Sequence, residues 1–109
     1  MSSVPLYSSS ANDEDMAELL AIFVEELPQR ITEIETAHRS GNLQQLKTYA
    51  HQLKGSAGSY GFQLITDVAG QLEKDLNSAH RQAQVNEGVK SLVGLLRRAT
   101  ASANPELQG

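Results

Sequence analysis

The chain has 109 residues, a formal net charge of −4 and no cysteine. That length fits one domain with a modest core, and the missing cysteines exclude a disulfide framework, thiolate catalysis and thiolate metal sites. The nine Lys and Arg residues gather only as Arg97/Arg98 and Lys47/Lys54, which argues against nucleic acid as a partner.

Residues 1–12 are Ser-rich and lack the basic patch and apolar core of a leader peptide; they are expected to be a flexible N-terminal segment. No apolar run is long enough to span a bilayer, so the expectation is a cytoplasmic protein without membrane insertion. From there on, apolar residues recur at spacings of three and four, without sustained alternation at two, which predicts helix throughout. The first helix is expected to open at Asn12 or Asp13, either of which can accept from orphan amide groups, while Asp13, Glu14 and Asp15 suit the positive end of the dipole. That acidic cluster is read as capping, not cation binding. Met16, Leu19, Leu20, Phe23 and Leu27 share one sector of the wheel, and Ile22 falls outside it as a surplus apolar residue.

Pro28 is either the first-turn proline of a second helix or a kink in a long one. Ile31, Ile34 and Ala37 form the buried line that follows, and Ser40-Gly41-Asn42 is a stop. Asn42 and Gln45 then have the spacing of a capping box. Leu43, Leu46, Ala50, Leu53 and Ala57 make the apolar stripe of the third helix, and Gly58 to Gly61 supplies a turn. A fourth helix over about 62–79 buries Ile65, Val68, Ala69, Leu72 and Leu76. A fifth over about 83–99 buries Val85, Val89, Leu92, Val93 and Leu96. The pattern predicts an all-α fold, an antiparallel four-helix bundle with an additional N-terminal helix over residues 13–99, followed by a flexible tail at 100–109.

One stretch stands apart. His51 lies off the apolar stripe of the third helix, with Lys47 at i−4, Lys54 at i+3 and Gly55 at i+4. A glycine inside a good helix costs about 0.5–1 kcal/mol relative to alanine, and here it leaves the surface beside the imidazole nearly flat. Neutral imidazole is a nucleophile through one ring nitrogen when the other holds a proton on an acceptor, and Glu73, at the edge of the fourth helix's buried sector, is the candidate acceptor. Lys54 places positive charge where a phosphoryl group on the ring would be negative. The plainer alternative is a solvated surface histidine, as His38 and His80 are read, with Lys47 as a solubilising residue and Gly58 and Gly61 as helix terminators. Sharper alternatives fail on pattern. The three glycines at 55, 58 and 61 follow no strand and precede no Lys-Ser/Thr, so they form no nucleotide loop. The histidines lack metal-ligand spacing. Ser56 and Ser59 lack a base and an orienter.

The run Ala50-His51-Gln52-Leu53-Lys54-Gly55-Ser56-Ala57-Gly58-Ser59-Tyr60-Gly61-Phe62 resembles the core of the histidine-containing phosphotransfer (HPt) domain, and the likeness extends over roughly residues 14–98. The resemblance implies that His51 is the phosphoacceptor through Nε2 and that Lys54 neutralises the phosphoryl oxygens. Gly55 makes room for a receiver domain, Ser56 matches a small position that hydrogen-bonds nearby, and Glu73 bonds the Nδ1 proton; Lys47, flanking His51, is a further supporting candidate. It further implies reversible phosphoryl transfer with receiver-domain aspartates in a two-component phosphorelay, by a phosphocarrier with no autokinase activity and no cofactor of its own, Mg²⁺ belonging to the receiver. The implied partners are response-regulator receivers and a hybrid sensor histidine kinase, met by a monomer. Leu19, Ile22, Gln52 and Gly58 are the expected docking residues. Asn42 stands where the family often has aspartate, and either residue caps a helix. A helical adaptor that binds without accepting phosphate and a purely structural bundle are the competing readings.

Overall fold

The computed structural model describes residues 4–78 and 82–103; the expectation of a surface His80 and most of the C-terminal tail lie outside those residues. The described chain is mostly helical, with α1 at Ala17–Glu25, α2 at Leu27–Arg39, α3 at Leu43–Ala57, α4 at Gln63–Asn77 and α5 at Gln82–Arg98. Two short strands, β1 at Leu6–Tyr7 and β2 at Ala99–Thr100, pair in parallel. Helix α3 packs on α2 and α4, and α5 packs on α2 and α4, so these four surround one core; α1 touches α2, β2 and the turn after α3. The core holds Ile34, Leu46, Leu53, Ile65, Leu72 and Leu92, each at most 1% exposed. A large aliphatic side chain buried to that extent contributes about 1.5–3 kcal/mol.

The corners follow from local chemistry. At the end of α2, Gly41 adopts φ +72°, a left-handed conformation that an L side chain resists. The Asn42 N–H then reaches Ala37 O at 2.9 Å and the Gly41 N–H reaches His38 O at 3.3 Å, a Schellman closure of the helix. Asn42 immediately caps α3 by accepting from the Gln45 N–H at 3.1 Å. Only half of the expected capping box forms, because the Gln45 amide donates to Tyr49 Oη at 2.7 Å instead of returning to Asn42. Pro28 occupies the first turn of α2, where its missing N–H leaves no intrahelical bond unmade, and Glu26 stays right-handed between α1 and α2.

Four expectations need correction. Helix α1 begins at Ala17, not at Asn12 or Asp13, because the Asp13 carboxylate accepts from the Asp15 N–H at 3.0 Å and folds the chain into a turn ahead of the helix. Leu19 is 50% exposed. The starting turn sets α1 so that Leu20 and Phe23 face the core, as Leu27 does at the start of α2, and Leu19 joins Ile22 on the outer side. Leu43, expected in the α3 stripe, is also half exposed at the first helical position, whereas Leu95, absent from the expected list, is buried. Lastly, the N-terminal segment contributes to the fold: β1 pairs with β2, and the buried Ser8 hydroxyl donates to Tyr60 O.

That last contact belongs to a second closed corner. After α3 the chain makes one 3₁₀ turn at Gly58–Tyr60, and Gly61, at φ +82°, lets the Phe62 N–H return to Ala57 O at 2.9 Å. A Cβ on Gly61 would strike the hydroxyl of Ser8 and lie 2.7 Å from the Ser10 nitrogen. Phe23 of α1 stacks on Tyr60 with ring centroids 4.6 Å apart and on Phe62 at 5.9 Å. The N-terminal segment and α1 are therefore both seated on the corner that ends α3, two turns beyond His51.

Candidate functional site

Helices α3 and α4 meet along complementary small-sided faces. Thr66, Gly70 and Glu73 recur on α4 at the spacing of one helical face. Thr66 Oγ1 donates to Lys54 O at 3.1 Å, and a Cβ on Gly58 would come within 3.0 Å of that hydroxyl. The Lys54 stem passes over Gly70, where an added Cβ would meet its Cδ at 3.5 Å. These contacts fix how far α4 stands from α3 and place Glu73 opposite His51.

Glu73 joins the two candidate residues of α3. Its Oε2 lies 2.7 Å from His51 Nδ1, and its Oε1 accepts from Lys54 Nζ at 3.1 Å. The Glu73 side chain is 16% exposed, whereas that of His51 is 70% exposed. The Lys54 ammonium foremost, together with the His51 hydrogen bond, holds the Glu73 carboxyl below the usual glutamate range, against the partial burial that would raise it. An ionised carboxylate can only accept, so the proton of a neutral His51 ring resides on Nδ1. Nε2 then carries the free lone pair on an exposed ring with no partner among the described residues.

The other expected residues fall in different places. Nothing among the described residues lies within 4 Å of a Cβ built on Gly55, so none of their contacts requires a glycine there. Gly58 is different, because the Thr66 contact accounts for its size. The Ser56 hydroxyl donates to Gln52 O at 2.9 Å, back along its own helix. Gln52 is exposed, and Lys47 is half-buried one turn before His51 and makes no ion pair among the described residues. Leu19 and Ile22 are exposed at 50% and 48% on α1. His38 lies elsewhere, with Nε2 2.8 Å from Asn86 Oδ1. Thr66 and Gly70 went unnoticed in the sequence; their only signal there is the seven-residue spacing from Thr66 through Gly70 to Glu73 on one helical face.

Among the described residues no group of acidic or histidine side chains could hold a metal ion, and no helix is long and apolar enough to cross a membrane. The family model described as the Hpt domain matches residues 18–102. No curated protein and no solved structure matches the chain.

Proposed function

The chain belongs to the Hpt domain family, and on that premise we propose that His51 is the residue that accepts and returns the phosphoryl group. Membership makes the chain a histidine phosphotransfer domain of two-component phosphorelays, a phosphocarrier with no cofactor of its own, working with response-regulator receiver domains. The observation that carries the assignment to His51 is the bond from its Nδ1 to Glu73 Oε2, which leaves Nε2 as the exposed nucleophile.

In the proposed step, the Nε2 lone pair attacks phosphorus of an aspartyl phosphate on the receiver. The N–P bond forms as the P–O bond to the aspartate breaks, and the electron pair leaves with the aspartate carboxylate. The ring, still protonated at Nδ1, becomes a phosphorylated imidazolium. Glu73 is positioned to stabilise that developing charge, a service that strengthens as the reaction proceeds. Lys54 sits within reach of the incoming phosphoryl oxygens, and its contact with Glu73 holds the ammonium near the ring beforehand. The reverse step runs through the same contacts. Mg²⁺ and the acidic pocket come from the receiver.

Gly55 supplies the clearance for that approach, since its open surface has no internal use. The exposed pair Leu19 and Ile22 forms the apolar part of the docking face, with Gln52 and Gly58 at its edge; Ser56 and Lys47 support it. The unit that does this work is residues 13–99, an antiparallel four-helix bundle with an N-terminal helix, acting as a cytoplasmic monomer that also serves a hybrid sensor kinase. Transfer of label from a phosphorylated receiver to wild-type protein but not to a His51→Gln variant tests the reading.

A further inference from the structure

The fold assembles a cationic groove that the sequence scatters. Arg39 at the end of α2 meets Lys90, Arg97 and Arg98 of α5 around a cleft of about 830 Å³ between those helices. Four basic side chains among the described residues thus line one groove of a chain whose net charge is −4. Among the described residues Glu35 is the one carboxylate in the lining; it lies 3.2 Å from Arg97 Nη2. Arg98 donates to Val4 O at 2.8 Å, a bond that leaves its charge uncancelled. Arg39 and Lys90 are exposed and make no ion pair among the described residues.

The floor has a second character. Val89 and Val93 line it, and Gly94 lies within the continuous α5 where a Cβ would meet nothing among the described residues within 4 Å. A helix-weakening glycine with open space above it leaves a low floor between the charged rims. Helices α2 and α5 carry none of the residues of the His51 site, so the groove is separate from it.

We infer that the groove between α2 and α5 binds an acidic peptide segment of a partner protein, its carboxylates paired with Arg39 and Lys90 and a small apolar side chain resting over Gly94. A nucleic acid fits the observations less well. Among the described residues no Phe, Tyr or Trp lines the groove for base stacking, and the Val89 and Val93 floor suits a small apolar side chain and gives a phosphate backbone nothing to pair with. The inference goes beyond phosphotransfer and does not depend on it.

The test uses the full chain with a fluorescein-labelled peptide rich in Glu and Val, its Gln/Val counterpart and a labelled single-stranded oligonucleotide. Binding is followed by anisotropy and located by amide chemical shifts. The Glu/Val peptide is expected to bind with shifts confined to α2 and α5, and the Gln/Val peptide to bind about tenfold or more weakly. The paired change Arg39→Glu with Lys90→Glu should weaken the acidic peptide by at least about tenfold. Gly94→Leu should abolish binding while raising the melting temperature, which separates occlusion of the groove from misfolding. Equal binding of the two peptides, indifference to the charge reversal, shifts that map elsewhere, or tighter binding of the oligonucleotide would overturn the inference.

Discussion

Across the groove between α3 and α4, the Nδ1–H of His51 donates to Glu73 Oε2 at 2.7 Å, and the other oxygen of the same carboxylate holds Lys54. One side chain thereby orients the imidazole and restrains the ammonium beside it. The two jobs separate by substitution. Glu73→Gln keeps a carbonyl oxygen for the Nδ1 proton but loses the charge that balances an imidazolium, whereas Glu73→Ala loses both. Phosphoryl acceptance from a receiver should fall about 10–100-fold in the alanine variant and less in the glutamine variant, the range seen when the hydrogen-bond partner that orients a metal-bound imidazole is removed. Equal rates in all three proteins, measured by stopped-flow transfer, would show that Glu73 has no part in the reaction.

The Lys54 ammonium and the His51 bond hold the Glu73 carboxyl below the usual glutamate range. A folded-state pKa depressed in this way adds stability that is fully present above the ordinary glutamate value of about 4.3 and lost as pH falls through the lowered one. The Glu73 side-chain carboxyl carbon should therefore titrate, by NMR, at lower pH than the exposed glutamates of the same protein. In Lys54→Met its midpoint should move upward. A wild-type midpoint at or above the exposed ones would contradict the pairing.

Gly55 offers a cleaner separation of stability from function. Because an added Cβ meets nothing, Gly55→Ala should stabilise the protein by about 0.5–1 kcal/mol in urea denaturation. Gly55→Arg should also fold, yet slow transfer from a receiver, since its side chain occupies the surface the partner must approach. Leu19→Asp and Ile22→Asp on the neighbouring face should leave stability within about 0.5 kcal/mol and weaken receiver binding, measured by calorimetry. Unchanged receiver binding in those variants would remove α1 from the docking face.

Much of this was legible because the information is local. The α3 stripe through Leu46, Ala50, Leu53 and Ala57, the Asn42 cap and the Gly41 stop depend on residues within a few positions of one another. So does the placement of His51 outside the core. The Glu73 contact was also within reach, since a wheel position at the edge of a buried sector points across a groove. What escaped depends on distant partners. The pairing of Leu6–Tyr7 with Ala99–Thr100 joins opposite ends of the chain and has too few residues to show a strand period. The exposure of Leu19 hangs on the turn that Asp13 imposes before α1. The cations of the α2–α5 groove come from separate helices and look dispersed until the chain folds.

The corner at Gly61 makes the N-terminal segment testable. With φ at +82° and Ser8–Ser10 lying where a Cβ would project, Gly61→Ala should cost more than Gly41→Ala, whose φ is similar but whose Cβ would meet nothing within 4 Å. The backbone penalty alone is about 1 kcal/mol for each, and the difference in urea midpoints reports the Ser8 contact. Ser8→Ala should cost about 1–3 kcal/mol through the lost bond to Tyr60 O. Equal losses at the two glycines would mean that the segment contributes nothing to the corner.

The most direct test of the central claim is transfer of radiolabelled phosphate. Wild-type protein and His51→Gln are each incubated with a receiver domain labelled on its aspartate in the presence of Mg²⁺. The wild type is predicted to acquire label that acid releases and alkali does not, and the variant, folded by circular dichroism, to acquire none. Label on the variant at the wild-type level would contradict the assignment of His51 as the phosphoacceptor.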